Sequence, residues 1–460
     1  MTDAAVKDGA APSGTGAGGE LPVIIVGGGI TGLSAAWELQ TRGVPFVLLE
    51  AGDYLGGTLH SERTEDGFLV ERAADAFILG KPYAAQLARE VGLEAQVIHP
   101  REDTKKIYFL RGGQFLPFPP NMKMFVPLDD DSFLQSGVLS PEGLRRYLNE
   151  QHVPPKPPTD EDESLASFLT RRFGPESLNF IVPLAAGIYV ANPLELSMKA
   201  AFPQFLKMEQ EYGSVIRGSR ATPRATGPVF MSFQEGTSTL IRALQERLTG
   251  GEIRLNTPVL RVHERGVTLA GGEELRGRAV INTTPAWYAG AMYRQDYPEA
   301  ASLIGQLKAN SSVAVVLAYR AEQFPGDMLL HGLQVDASED TLLKAITVHS
   351  AKMHGRAPDG HVLMRVFFKD IEPARARVMA QETAERLFGA QGDPLWHAFG
   401  DWRGKNPAYV VGHLDHIARI RAALPAHQQI AGASYTGVGV PDCVNAGRTA
   451  ARAVLAPVTA

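Results

Sequence analysis

The sequence predicts an α/β protein, mixed α+β over its full length, and three observations carry that prediction. Near the start a β-branched run, Val23–Val26, meets a glycine cluster and then a helical stretch. After about residue 225 short strand-like runs and helical stripes return, as in a βαβ chain. The last fifty residues hold a glycine-rich turn, Gly432–Gly439, and then a helix-like run to Leu455. This order predicts a nucleotide-binding domain interrupted by insertions.

Size and composition narrow the function. The chain has 460 residues, 44% hydrophobic, which predicts a large core and more than one compact unit. Charged residues make up 21%, the net charge is −5 and no long basic run occurs, so a nucleic-acid partner is not expected. The lone Cys443 makes neither an internal disulfide nor a thiolate metal site by itself, which fits a reducing, cytoplasmic compartment. Residues 1–20, rich in Ala, Gly, Ser and Thr, read as a disordered tail rather than a secretion signal. No run of about 18 apolar residues predicts a membrane span.

The first element is a buried strand, Val23–Val26, followed at once by Gly27-Gly28-Gly29-Ile30-Thr31-Gly32. A helix continues through Leu33, Ala36, Trp37 and Gln40, and a second strand, Phe46–Leu49, ends at Glu50. Each glycine has a mechanical task in such a unit. Gly27 permits the tight turn, Gly29 lets the backbone approach a diphosphate, and Gly32 lets helix and strand pack closely. The helix N-terminus offers unpaired N–H groups to phosphate. Glu50, 18 residues beyond Gly32, is placed to accept from ribose hydroxyls and disfavours a 2′-phosphate, so NADP is not expected. Ala51 follows, and then a second glycine pair, Gly56-Gly57, before Thr58. That pair lets the chain pass close to a longer cofactor. The arrangement resembles flavoproteins of the glutathione reductase and amine oxidase type, which implies FAD.

Farther along, Phe115–Pro120 is aromatic and proline-rich, and Pro154–Glu163 reads as a solvated acidic loop. Leu165, Phe168, Leu169 and Phe173 mark one face of a helix. Leu240, Ile241, Leu244 and Leu248 mark another, and strands are predicted at Val259–Val262, Val267–Leu269 and Ala279–Ile281. No zinc-protease, paired-cysteine or serine-hydrolase motif occurs. His413 reads as a hydrogen-bonding residue of the fold rather than a metal ligand, and no metal site is expected.

Four segments are more specific. They are Pro183–Val190 with Asn192–Pro203, Gly412–Ile420, Gly432–Cys443, and Ser232–Gly236 with the helix after it. Together they resemble the oxygen-dependent protoporphyrinogen and coproporphyrinogen oxidases, and the likeness runs from about residue 22 to the end. One departure stands out: where that family carries Gly-Pro, this chain has Ala73-Ala74.

The resemblance implies a glutathione-reductase-type FAD-binding domain from residues 21–85, 225–290 and 400–460. A substrate-binding domain from 86–100, 191–224 and 291–399 and a helical insertion at 101–190 would accompany it. The insertion would form the mouth of the substrate channel and touch a membrane surface peripherally through Phe115–Pro120. It implies FAD contacts at Val259, Thr284 and Gly437-Val438-Gly439-Val440, beside those of the fingerprint. Gly187 would leave room for a tetrapyrrole, unless it is a glycine that packs a helix. Leu330, Leu333 and Met353 would clamp the macrocycle, unless they are ordinary core, and Lys81 and Lys105-Lys106, Lys106 foremost, would meet its propionates. Oxygen would be the acceptor and hydrogen peroxide the product, no general base being needed for hydride transfer, and a ferrochelatase would receive the porphyrin. Two rivals remain: another flavin amine oxidase or carotenoid-desaturase-like enzyme, and a non-catalytic FAD-binding protein in which Ala73-Ala74 marks a decayed loop. Oligomeric state and the choice between the two porphyrinogens are not legible.

Overall fold

A computed structural model describes residues 20–223, 227–339 and 341–456, so the predicted tail lies, but for Glu20, outside the described residues. At its centre is a five-stranded parallel sheet. Its strands run in the order Gly251–Arg254, Phe46–Leu49 (β2), Val23–Val26 (β1), Ala279–Asn282 and Gln428–Ile430. They come from three separated stretches of chain. Both β1 and β2 are apolar at every position because both faces of the sheet are covered. Successive side chains alternate between those faces. Val23, Ile25, Phe46 and Leu48 pack with the helix Ile30–Thr41 (α1) and the helices 240–244 and 440–451. Ile24, Val26, Val47 and Leu49 pack under the three-stranded meander of 259–276 and the helices 286–304 and 413–422.

A second, seven-stranded sheet runs in the order 396–401, 313–320, 361–368, 343–348, 332–335, 107–111, 114–117. All its pairings are antiparallel except that of 332–335 with 107–111. Ala376, Ala380 and Ala384, four residues apart on the helix Pro373–Phe388, are fully buried against it.

The stretch expected as a helical insertion at 101–190 is therefore not helical at its start. Ile107–Arg111 and Gln114–Pro117 form a hairpin closed by Gly112-Gly113, both at positive φ, which is the geometry a two-residue hairpin turn favours. Helices begin at Asp130 and continue past 190 to Ala221. The two aromatics of Phe115–Pro120 are half-buried against other rings: Phe118 lies on Phe109 and Phe180, and Phe115 on Tyr108 and Phe388. Among the described residues no helix is long and apolar enough to cross a membrane.

Leu165, Phe168, Leu169 and Phe173 all turn inward, in a core shared with Phe133, Tyr147 and Phe180. The acidic loop is mostly exposed, but its end is structural. Asp162 accepts from the Ser197 hydroxyl at 2.6 Å and the Gly412 amide at 2.9 Å. One buried carboxylate organises the helical unit. Glu150, fully buried, pairs with the equally buried Arg172, and accepts from Ser214 Oγ at 2.5 Å and from the amides of Val215 and Ile216 at 3.0 and 3.1 Å. It thus caps the helix Val215–Ala221 with charge where the helix dipole favours it. Glu150→Ala removes the helix cap and the nearer charge from the buried Arg172, leaving it backbone carbonyls and Glu209 at 3.5 Å, so a loss of about 3 kcal/mol is expected in chemical denaturation. A loss near zero would contradict this role.

Candidate cofactor site

The glycine-rich turn after β1 lies at the carboxyl end of the parallel sheet, where open α/β sheets bind ligands. The local geometry assigns each glycine a distinct task. Gly27 has φ +104°, open to glycine and strained for other residues. A Cβ on Gly32 would lie 2.0 Å from the Gly27 carbonyl oxygen, so only a bare Cα lets α1 start this close to β1. A Cβ on Gly29 would meet nothing within 4 Å. Gly29 is the N-cap of α1, no side chain caps the helix, and its first turn has no acidic residue. An open cradle thus faces an uncapped helix start, the arrangement a diphosphate fills. Ile30 and Thr31 are buried behind it.

Other predicted residues gather round the same point. Glu50 accepts from the Gly28 amide at 2.7 Å and from the Gly52 amide at 2.8 Å. The Gly56 amide donates to the Gly28 carbonyl at 2.9 Å, Gly56 bridges to Gly29, and Gly57 has φ +59°. The second glycine pair therefore lies directly on the first, with Ala51 and Thr58 exposed beside it. Segment 256–259 is tied to the end of β2, because the Thr257 amide donates to the Glu50 carbonyl at 2.8 Å. Val259 begins its strand there. Thr283 Oγ1 donates to the carbonyls of Val26 and Gly27 at 2.9 and 3.0 Å, and Thr284 follows, bonded to Asn282.

The C-terminal loop closes the site. Gly432 packs on Thr31 and Thr283, and Gly437, at φ +144°, folds back on Asp442. Val438 packs partly buried against the helical unit, and Gly439 caps the helix Val440–Ala453 without a side-chain bond. A Cβ on Gly447 would lie 2.1 Å from the Thr31 carbonyl oxygen, so this helix crosses α1 at backbone contact. Neither Thr283 nor Gly447 carries a local signal in the sequence.

The substrate residues predicted by resemblance separate. Lys81 belongs to this region, with Nζ 2.7 and 2.8 Å from the Asp442 carboxylate. Gly187 is exposed at the end of the helix Ser177–Ala186, and a Cβ there would meet only the Leu184 carbonyl oxygen at 3.4 Å. It therefore packs no helix. Lys106 is exposed just before the strand Ile107–Arg111, its carbonyl accepting from the His331 amide. Leu333 is fully buried in the core between that sheet and its helix, where Leu330 also packs, and Met353 is 1% exposed. All three side chains are thus enclosed by protein, and Leu330 and Leu333 pack as the alternative of ordinary core expects.

A buried polar cluster that the sequence reading missed ties the second sheet to the loop after Glu71. Arg365, on the strand His361–Phe368, donates to the carbonyls of Ala73 at 2.6 Å and Arg72 at 3.0 Å. Thr237 Oγ1 donates to the Ala74 carbonyl at 3.3 Å. The loop lacking Gly-Pro is thus held through backbone groups that alanine retains. Beside it, Lys352 Nζ lies 2.6 Å and His349 Nε2 3.5 Å from Asp75. Burial opposes the charge on Asp75, but Lys352 above all outweighs it and holds the carboxyl well below its ordinary range. Burial pushes His349 down to about 3, so it is neutral near pH 7. Burial also raises Glu71, although it accepts from Ser61 and Thr237.

These glycines make a prediction. Gly29→Ala keeps the fold, because its methyl enters open space, but weakens FAD binding by about tenfold or more. Gly32→Ala lowers both FAD retention and the unfolding midpoint. Flavin released on gel filtration, read beside a thermal melt, checks this; unchanged FAD affinity in Gly29→Ala would contradict it.

Comparison with known proteins agrees with this geometry. Residues 30–455 match the family of flavin containing amine oxidoreductases. A coproporphyrinogen III oxidase of Propionibacterium freudenreichii subsp. freudenreichii is 32% identical, over 94% of this chain and 90% of that protein. Its counterpart in Bacillus subtilis (strain 168) is 29% identical, over 94% and 97%. A solved structure of a candidate protoporphyrinogen oxidase from Exiguobacterium sp. 255-15 superposes with a TM-score of 0.82 at 29% identity, covering 95% of this chain and 99% of that one. FAD is the cofactor these relationships and the glycine cradle share. The chain belongs to the flavin-containing amine oxidoreductases, in the group that holds the coproporphyrinogen III oxidases.

Proposed function

We propose that the protein oxidises coproporphyrinogen III to coproporphyrin III in haem synthesis, with dioxygen as the final acceptor and hydrogen peroxide as product. The observation that carries this reading is kinship along nearly the whole chain with proteins named for that oxidation. When bound, FAD supplies the two-electron chemistry, which three rounds turn into loss of six electrons. The chain's own residues bind and orient. The amides at the start of α1 and of Val438–Val440, in the turn that Gly437 opens, hold the diphosphate and ribityl chain, Glu50 the ribose hydroxyls, and the Val259 backbone the adenine, with Thr284 closing the cofactor side.

On the substrate side, the open space at Gly187 admits the tetrapyrrole. Lys81 and Lys106 supply cations for propionates, and Lys81 must then exchange its contact with Asp442 for the substrate. Kinship with proteins named coproporphyrinogen III oxidase favours the coproporphyrinogen. A cytoplasmic location and hand-off of the porphyrin to a ferrochelatase belong to the same reading.

Turnover of each porphyrinogen by purified holoprotein, read by porphyrin fluorescence, tests it. We expect kcat/KM for coproporphyrinogen III at least about tenfold above that for protoporphyrinogen IX. The reverse order would overturn the substrate assignment. Turnover of neither, with polyamines or carotenoid precursors accepted, would move the chain to another branch of the family.

A further inference from the structure

One buried side chain outside the cofactor contacts holds the loop that makes them. Tyr409 is 2% exposed and lies beneath Gly432–Gly439. Its hydroxyl donates to the Ala433 carbonyl at 2.5 Å and accepts from the Gly437 amide at 2.6 Å, and so spans the loop from both ends. Its ring stacks on His413 with centroids 4.2 Å apart, and His413 Nε2 lies 3.1 Å from the Tyr435 carbonyl, a third hold on the same loop. Burial lifts the Tyr409 hydroxyl well above its ordinary range, so it is a donor near neutral pH.

The same residue reaches the other way. The Tyr409 carbonyl accepts from the Ser197 amide at 2.8 Å, and its ring lies 5.8 Å from that of Tyr189. Tyr189 and Ser197 belong to the segment that carries Gly187. Gly437, meanwhile, stands at φ +144°, where side chains are strained and the turn needs external support. A single hydroxyl meets both the donor and the acceptor left open by that turn.

We infer that Tyr409 is a positioning residue: its hydroxyl sets the Gly432–Gly439 loop for FAD and fixes that loop's distance from the Gly187 segment. The inference rests on FAD as the cofactor and not on which substrate is oxidised.

Tyr409→Phe removes one oxygen and keeps the ring stack. The FAD dissociation constant is expected to rise about tenfold, as two buried backbone groups lose their partner. The visible circular dichroism of the bound flavin is expected to change shape. A lower unfolding midpoint with unchanged FAD affinity and an unchanged flavin spectrum would overturn the inference, since that is what a packing role alone produces. Should the variant fail to fold, hydrogen exchange on the FAD-free wild type decides. The Gly437 amide is expected to be protected like a core amide; exchange at the rate of an exposed loop would overturn the proposal. Neither measurement involves a porphyrinogen, so failure here leaves the proposed function standing.

Discussion

Everything in this fold is arranged around an approach that a single methyl would prevent. α1 begins so close to β1 that a Cβ on Gly32 would sit 2.0 Å from the Gly27 oxygen, and Gly447 brings a second helix to α1 at nearly the same distance. Three backbones are in contact there with no side chains between them. The result is a helix start with no side-chain cap, aimed into a cradle that Gly29 leaves open. Unpaired N–H groups are costly in a dry interior and useful beside an anion. The rest of the molecule preserves that geometry: helices cover one face of the sheet, a β-meander and helices cover the other, and the loops after Glu50 and before Val440 close round the cradle.

The second sheet is tied to the segments 72–75 and 233–234 by buried polar contacts. Arg365 and Arg356 lie almost fully buried at the junction and donate to backbone carbonyls of the segments 72–73 and 233–234, while Lys352 pairs with Asp75. Such contacts set position more sharply than apolar packing does, because each needs a definite direction as well as a distance. For a protein that must hold a substrate against a cofactor, a fixed position of these segments against the second sheet is the relevant property.

How much was legible in the sequence follows from how local each feature is. The fingerprint, Glu50 and the pair Gly56-Gly57 lie within one βαβ unit, where spacing and structure are tied, and they meet as read. The stripe at Leu165–Phe173 was legible for the same reason. The hairpin at 107–117 announced itself through Gly112-Gly113 between strand-like runs, a signal passed over in favour of a helical insertion. Leu330, Leu333 and Met353 were placed by resemblance alone, and nothing nearby distinguishes a wall from a core residue. Asp75, Lys352, Thr283, Tyr409 and Gly447 act across separations of many residues, and only the folded chain brings them together.

The account turns on the diphosphate as the group that the α1 N-terminus grips. FMN carries the same ring system and one phosphate but lacks the second phosphate and the adenosine, so the comparison reads the half of FAD that the glycine cradle, Glu50 and Val259 are assigned to hold. Titration of the FAD-free protein with each flavin, followed by flavin fluorescence, should show FAD binding at least about a hundredfold more tightly than FMN. Equal affinity for the two would mean that the ring alone is held, and would contradict the role assigned to the glycine cradle.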